Sequence, residues 1–190
     1  MPRRTPRPRR HPPVPEPVRA GLISVVGGES TGKSTLAAEL GLRLPAVVVP
    51  EMLRDWVDQR GRVPSAAEQA AVMTAHRDAE VAALQRADQA GLCWVVSDSG
   101  PLMTAVYSIQ YYDDASLLPA ALEWTARSER VVWCQDDFPW QPDPQRDGAR
   151  ARATSQQILA GIFAEHPHLP MLAVRGSFDE RVEAVLGRLI

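Results

Sequence analysis

Lysine is all but missing from this chain: of 190 residues only Lys33 is a lysine, and the remaining strongly basic side chains are all arginine. A sequence that favours arginine so heavily keeps its one compact, flexible ammonium for a place where that chemistry is wanted. Cysteine is scarce too. Cys93 and Cys134 stand apart in apolar strand-like runs, outside any C-x-x-C or Cys/His cluster, which excludes a disulfide scaffold or a cysteine metal site and predicts two buried free thiols. No apolar run approaches the roughly 18–20 residues that cross a bilayer, and the N-terminus lacks the apolar core of a secretory signal. These absences point to a soluble, cytoplasmic protein without a membrane partner. Internal repeats are also missing, which excludes solenoids and arrays.

The length suits one well-buried domain and is short for two. Residues 1–19 offer almost nothing apolar and are punctuated by prolines, so they read as a disordered Pro/Arg-rich tail. Six arginines (Arg3, Arg4, Arg7, Arg9, Arg10, Arg19) against Glu16 give it +5, leaving −7 on residues 20–190. Nucleic acid is therefore not an expected partner, except weakly through the tail.

What is present centres on Gly27, Gly28, Glu29, Ser30, Thr31, Gly32, Lys33 and Ser34, which satisfy the phosphate-loop pattern G-x-x-x-x-G-K-[ST]. The β-branched run Leu22–Val26 precedes it, and Thr35–Leu40 follows as the start of a helix. Glycines allow successive N–H groups to turn inward on phosphate oxygens, and the helix adds its positive N-terminus. Lys33 would reach the outer phosphates of ATP, and the Ser34 hydroxyl would ligate Mg²⁺.

Two carboxylates follow buried strands. The run Pro45–Pro50 is a second strand, and Glu51 comes immediately after it; Gly91–Asp98 is a third, ending in Asp98 in the manner of a Walker B element. Ligands of open parallel sheets sit beyond the carboxyl ends of the strands, so both would face the phosphate loop's crevice. Asp98 is a candidate to hold Mg²⁺ with Ser34, and Glu51 to act on an acceptor hydroxyl or else to cap the helix after it. Between them, 65–90 is a long helix opened by the capping box Ser65/Glu68. Ala66, Ala70, Met73, Arg77, Val81 and Leu84 fall near one face as a packing stripe, and His76 and Arg77 are candidates for a cleft wall.

Helices are expected from Pro101 to Tyr111 and from Ala115 to Arg127, then a fourth strand at Glu129–Cys134. The Pro- and Gly-punctuated stretch around 135–152 suits a lid over a triphosphate, with Arg146 and Arg150 neutralising transferred charge and Arg152 near the nucleotide. A helix over 149–165, a strand at Pro170–Val174 and a closing helix from Phe178 to Ile190 complete the alternation. Five strands with helices between them predict an α/β P-loop fold with a parallel sheet covered on both faces.

Taken together, Gly27–Thr35, Glu51 with Arg54 and Trp56, Asp98 with Thr104, and Phe138-Pro139-Trp140 followed by Asp143 and Arg146 resemble the ribosylnicotinamide kinase domain of NadR-type proteins. That group lies among P-loop AAA-like ATPases and kinases, and the stretch from Val49 to Gly61 is similar, more distantly, to deoxynucleoside kinases. The resemblance spans most of residues 21–190. It implies an ATP- and Mg²⁺-dependent kinase whose acceptor is a nucleoside such as nicotinamide riboside. Two departures bear on the acceptor: the family's third strand ends in a pattern like Asp-Thr-Asp, where this chain has Asp98-Ser99-Gly100, and its long helix carries a glutamine near the position of Arg77. A regulatory ATP-dependent switch without a small acceptor is the alternative.

Overall fold

Each strand of the computed structural model is a short, mostly apolar run, and each crossover is helical. The structure describes residues 19–137 and 149–189. In chain order these are β1 (Gly21–Val26), α1 (Lys33–Arg43), β2 (Ala46–Val49), α2 (Met52–Arg60), α3 (Ala66–Ala90) and β3 (Trp94–Asp98). They continue with α4 (Gly100–Tyr112), α5 (Leu118–Thr125), β4 (Arg130–Cys134), α6 (Ala149–Glu165), β5 (Met171–Val174) and α7 (Phe178–Leu186). The expected order of elements holds throughout. The tail over residues 1–18 and most of the expected lid, including Phe138–Trp140, Asp143 and Arg146, lie outside the described residues.

The sheet is parallel in every pairing, with strand order β2-β3-β1-β4-β5. Because β1 is flanked by β3 and β4, the chain leaves it to opposite sides, and the crevice beyond its carboxyl end is the ligand position of such sheets. Alternation along β1 divides the core. Ile23 and Val25 pack with Leu36, Leu40, Val182 and Val185 of α1 and α7. Leu22 and Val26 face the other way, toward α3, α4 and α6. Both faces are thus sealed by helices, and polar groups gather at the strand ends.

The buried face of α3 differs from the expected stripe. Gln69, Val72, His76, Glu80, Ala83 and Ala87 are buried, whereas Ala66, Ala70 and Arg77 are exposed. The core-facing stripe is therefore turned by one residue, about 100° around the helix. Three of its members are polar and meet partners inside the fold: Gln69 Nε2 donates to Pro64 O at 3.5 Å, His76 Nε2 lies 2.9 Å from Ser97 Oγ, and Trp124 Nε1 donates to Glu80 Oε2, while Glu80 Oε1 has no hydrogen-bond partner among the described residues. His76 consequently lies in the core rather than in a cleft wall, and Arg77 pairs with Asp78 at the surface. Cys134 is buried, with its thiol pushed up to about 11 by desolvation, while Cys93 is only half-buried; both are free.

Candidate functional site

The loop after β1 is shaped by what its glycines exclude. A side chain at Gly28 would place Cβ 2.7 Å from the carbonyl oxygen of Arg152, and Gly32, at the N-terminus of α1, has φ +80, where a Cβ is strained. Thr31 Oγ1 and Lys33 Nζ both donate to Gly28 O, at 2.8 and 3.0 Å. Lys33 is buried, as expected of an ammonium enclosed by its own loop.

Two residues that sequence patterns did not single out brace this loop from behind. Gln156 of α6 accepts from Gly28 N (3.2 Å) and Trp133 Nε1 (2.8 Å) and donates to Cys134 O (2.9 Å). Arg181 of α7, almost fully buried, donates to Thr31 O, Gln135 O and Gly176 O at 3.0–3.2 Å and pairs with Asp137. One guanidinium thereby joins the phosphate loop, the exit of β4 and the turn after β5. Five fixed donors on a planar fork are what make arginine suited to such a junction.

Glu51 and Asp98 converge here. Glu51 occupies the N-cap position of α2, but its side chain makes no capping bond; instead it accepts from Ser99 Oγ at 3.2 Å. Asp98 is hydrogen-bonded by Ser34, and the same Ser99 hydroxyl lies 3.4 Å from Asp98 Oδ1. Burial pushes the Asp98 carboxyl up, the Ser34 hydroxyl pulls it back, and the neighbouring Glu51 charge raises it again. A hydroxyl and a carboxylate, both hard oxygen donors, fit Mg²⁺. Among the described residues no cluster of three or more His, Cys, Asp or Glu could hold a metal alone, which suits an ion that keeps waters and substrate phosphates as its other ligands.

The cleft that joins these groups has a volume of about 1240 Å³, above the ~300–1,000 Å³ of an ordinary single-ligand pocket. One end is the loop Glu29–Thr35 with Ser177, Phe178 and Arg181. The other is walled by Leu53, Val57, Tyr107 and Tyr111, with Arg54, Asp58, Arg62 and Gln69 supplying polar groups. Gln69 is the glutamine that α3 turns toward the cleft, two turns before Arg77. Of the described arginines, those lining the cleft are Arg54, Arg62 and Arg181; Arg150 is exposed in the first turn of α6, and Arg152 is half-buried against Gly28.

Residues 22–181 match the model of a family described as an AAA domain. The chain belongs to that family. No curated protein matches the sequence. Among solved structures, a NadR protein in complex with NR is similar with a TM-score of 0.72 and 18% identity over 90% of this chain, and a NadR complex with NAD and AMP-PNP with 0.71 and 19%. The chain covers 51% and 50% of those two chains, about half their length. A thymidylate kinase from Ehrlichia chaffeensis (TM-score 0.67, 14% identity) and a deoxyadenosine kinase from M. mycoides (0.60, 14%) are covered over 99% and 98% of their own length and match 90% and 88% of this chain. The fold is that of P-loop nucleoside and nucleotide kinases, and the expected likeness to NadR holds at that level.

Proposed function

We propose that this protein transfers the γ-phosphoryl group of ATP to the hydroxyl of a small acceptor, a nucleoside 5′-OH such as that of nicotinamide riboside. The observation that carries the reading is the convergence of Glu51 and Asp98, from the ends of two neighbouring strands, on a phosphate loop inside a cleft large enough for two ligands. The loop's N–H groups and Lys33 bind the triphosphate; Ser34 and Asp98 hold Mg²⁺. When bound, that ion neutralises charge on the transferring phosphoryl group. Glu51, uncommitted to helix capping, orients the acceptor hydroxyl and takes its proton. Arg146, Arg150 and Arg152 are the arginines proposed for the developing charge, although Arg150 is exposed and neither it nor Arg152 lines the cleft in this structure, and Arg181 holds the loop in place. The acceptor lies along Tyr107 and Tyr111, where aromatic faces suit a planar base and Gln69 supplies an amide.

The test is incubation of the full chain with ATP, Mg²⁺ and a panel of nucleosides including nicotinamide riboside, with products separated by mass. A phosphorylated acceptor supports the reading. Release of phosphate with every acceptor unchanged would replace it by the ATP-dependent switch.

A further inference from the structure

Of the backbone conformations around the site, that of Ser99, buried behind Glu51, is out of place. Its φ is +75 and ψ −38, close to the rare, strained γ-turn and foreign to a residue with a Cβ. Glycine would adopt it freely, and the next residue, at φ +55, is in fact Gly100. The chain nevertheless keeps serine at this position. Strain of this kind persists where surrounding structure over-determines it, and here the surroundings are plain: Ser99 N donates to Val25 O at 2.8 Å, tying the turn to β1, and Ser99 itself is buried. The result is that one hydroxyl stands between two carboxylates whose residues are 48 and one positions away in sequence, 3.2 Å from Glu51 Oε1 and 3.4 Å from Asp98 Oδ1.

A hydroxyl has one proton to give and can serve only one of these oxygens fully at a time. The shorter contact is to Glu51, whose side chain has no bond to its own helix. Without Ser99, that carboxylate would sit at the mouth of α2 beside the like charge of Asp98 with nothing to fix its rotamer. We propose that Ser99 is a positioning residue: its hydroxyl, delivered by the strained turn after β3, anchors one oxygen of Glu51 and holds it apart from the metal-binding Asp98. The second oxygen is thereby kept for the acceptor. This rests on the phosphoryl-transfer reading above and adds to it a residue that does not itself touch the reacting atoms.

Two variants separate the hydroxyl from the strain. Ser99→Ala removes the hydroxyl and keeps the strain, whereas Ser99→Gly removes both. Both are expected to lower kcat about 10- to 100-fold with the KM for ATP within about twofold, because the phosphate loop is untouched and Asp98, though it loses the longer Ser99 contact, keeps its hydrogen bond from Ser34. Ser99→Gly should also melt at or above the wild-type temperature, so that its lost activity is not lost folding. Crystal structures of wild type and Ser99→Gly should show the Glu51 carboxylate leaving its position in the variant. Wild-type kcat in Ser99→Gly, or an unmoved Glu51, overturns the proposal. If wild type phosphorylates no acceptor, it is the function that fails, and the Glu51 position in the two crystal structures still decides the role of Ser99.

Discussion

Replacing Glu80 by glutamine should stabilise the protein, and more so at alkaline pH. Glu80 lies on α3 with no exposed surface, its Oε2 accepting from Trp124 and its Oε1 3.9 Å from His76 Nε2. That separation is long for a charge-assisted bond, which runs at about 2.7–2.9 Å, and burial drives the two groups in opposite directions. The glutamate is raised from 4.5 to about 7 and the histidine lowered from 6.5 to about 4, so both are neutral in the fold near pH 6.

The sign follows from proton counts. Between pH 4.5 and 7 the unfolded chain has released the Glu80 proton and the native state has kept it, so stability from this group falls as pH rises through that window. The shift corresponds to about 3 kcal/mol, fully lost above pH 7. His76 works the other way: its unfolded form gains a proton below 6.5 that the native form refuses until about 4, and stability falls as pH drops. In wild type the two slopes oppose each other over roughly pH 4.5–6.5. Glu80→Gln keeps an acceptor for Trp124 and removes the ionisation, so its gain over wild type should grow from below about 1 kcal/mol at pH 5 to about 3 kcal/mol at pH 8. Any intrinsic difference between carboxamide and neutral acid is common to both values and cancels. Urea unfolding followed by tryptophan fluorescence at the two pH values measures this. A gain that does not grow with pH would mean that Glu80 is ionised against a protonated His76 and would refute the reasoning.

Glu51→Gln should lower kcat at least about 100-fold, as loss of a positioned general base does, with ATP affinity by fluorescent-analogue titration unchanged within about threefold; full turnover would remove Glu51 from the mechanism. Gly28→Ala, whose Cβ must enter the 2.7 Å gap to the Arg152 carbonyl, should weaken ATP binding in the same titration while circular dichroism stays native. Arg181→Met should destabilise the fold by about 2–3 kcal/mol, because the Thr31 and Gln135 carbonyls lose a buried charged donor, and should also raise the KM for ATP, since the phosphate loop loses its rear support. Urea titration and initial-rate measurements check the two halves.

Signals that are local and contiguous were readable without coordinates. Gly27–Ser34 declares itself because the pattern lies in one contiguous loop, and Glu51 and Asp98 because each stands two residues beyond a β-branched run. Partners distant in sequence were not. Arg181 meets Thr31 across 150 residues and Gln156 meets Gly28 across 128, and in a linear reading each is one polar residue on an amphipathic helix. The face of α3 misled for a related reason. A stripe chosen by apolarity runs through Ala70 and Met73, while the true core face carries Gln69, His76 and Glu80, whose partners are Pro64 before α3, Ser97 on β3 and Trp124 on α5.

The same packing explains the departure at Asp98-Ser99-Gly100. A side chain at position 100 would begin with Cβ 2.7 Å from Ser24 Oγ and 3.5 Å from Glu80 Oε1, at φ +55. With Glu80 already buried there, a second carboxyl group at 100 would add another ionisable group to a buried place that already holds its neighbour neutral, at a desolvation cost with no cation among its nearest neighbours to offset it. Glycine at 100 and glutamate at 80 are therefore one packing arrangement. Its consequence for the site is that Ser99, not residue 100, is the side chain that this turn offers to the two carboxylates, and the strained φ of Ser99 goes with its hydroxyl lying between Glu51 and Asp98.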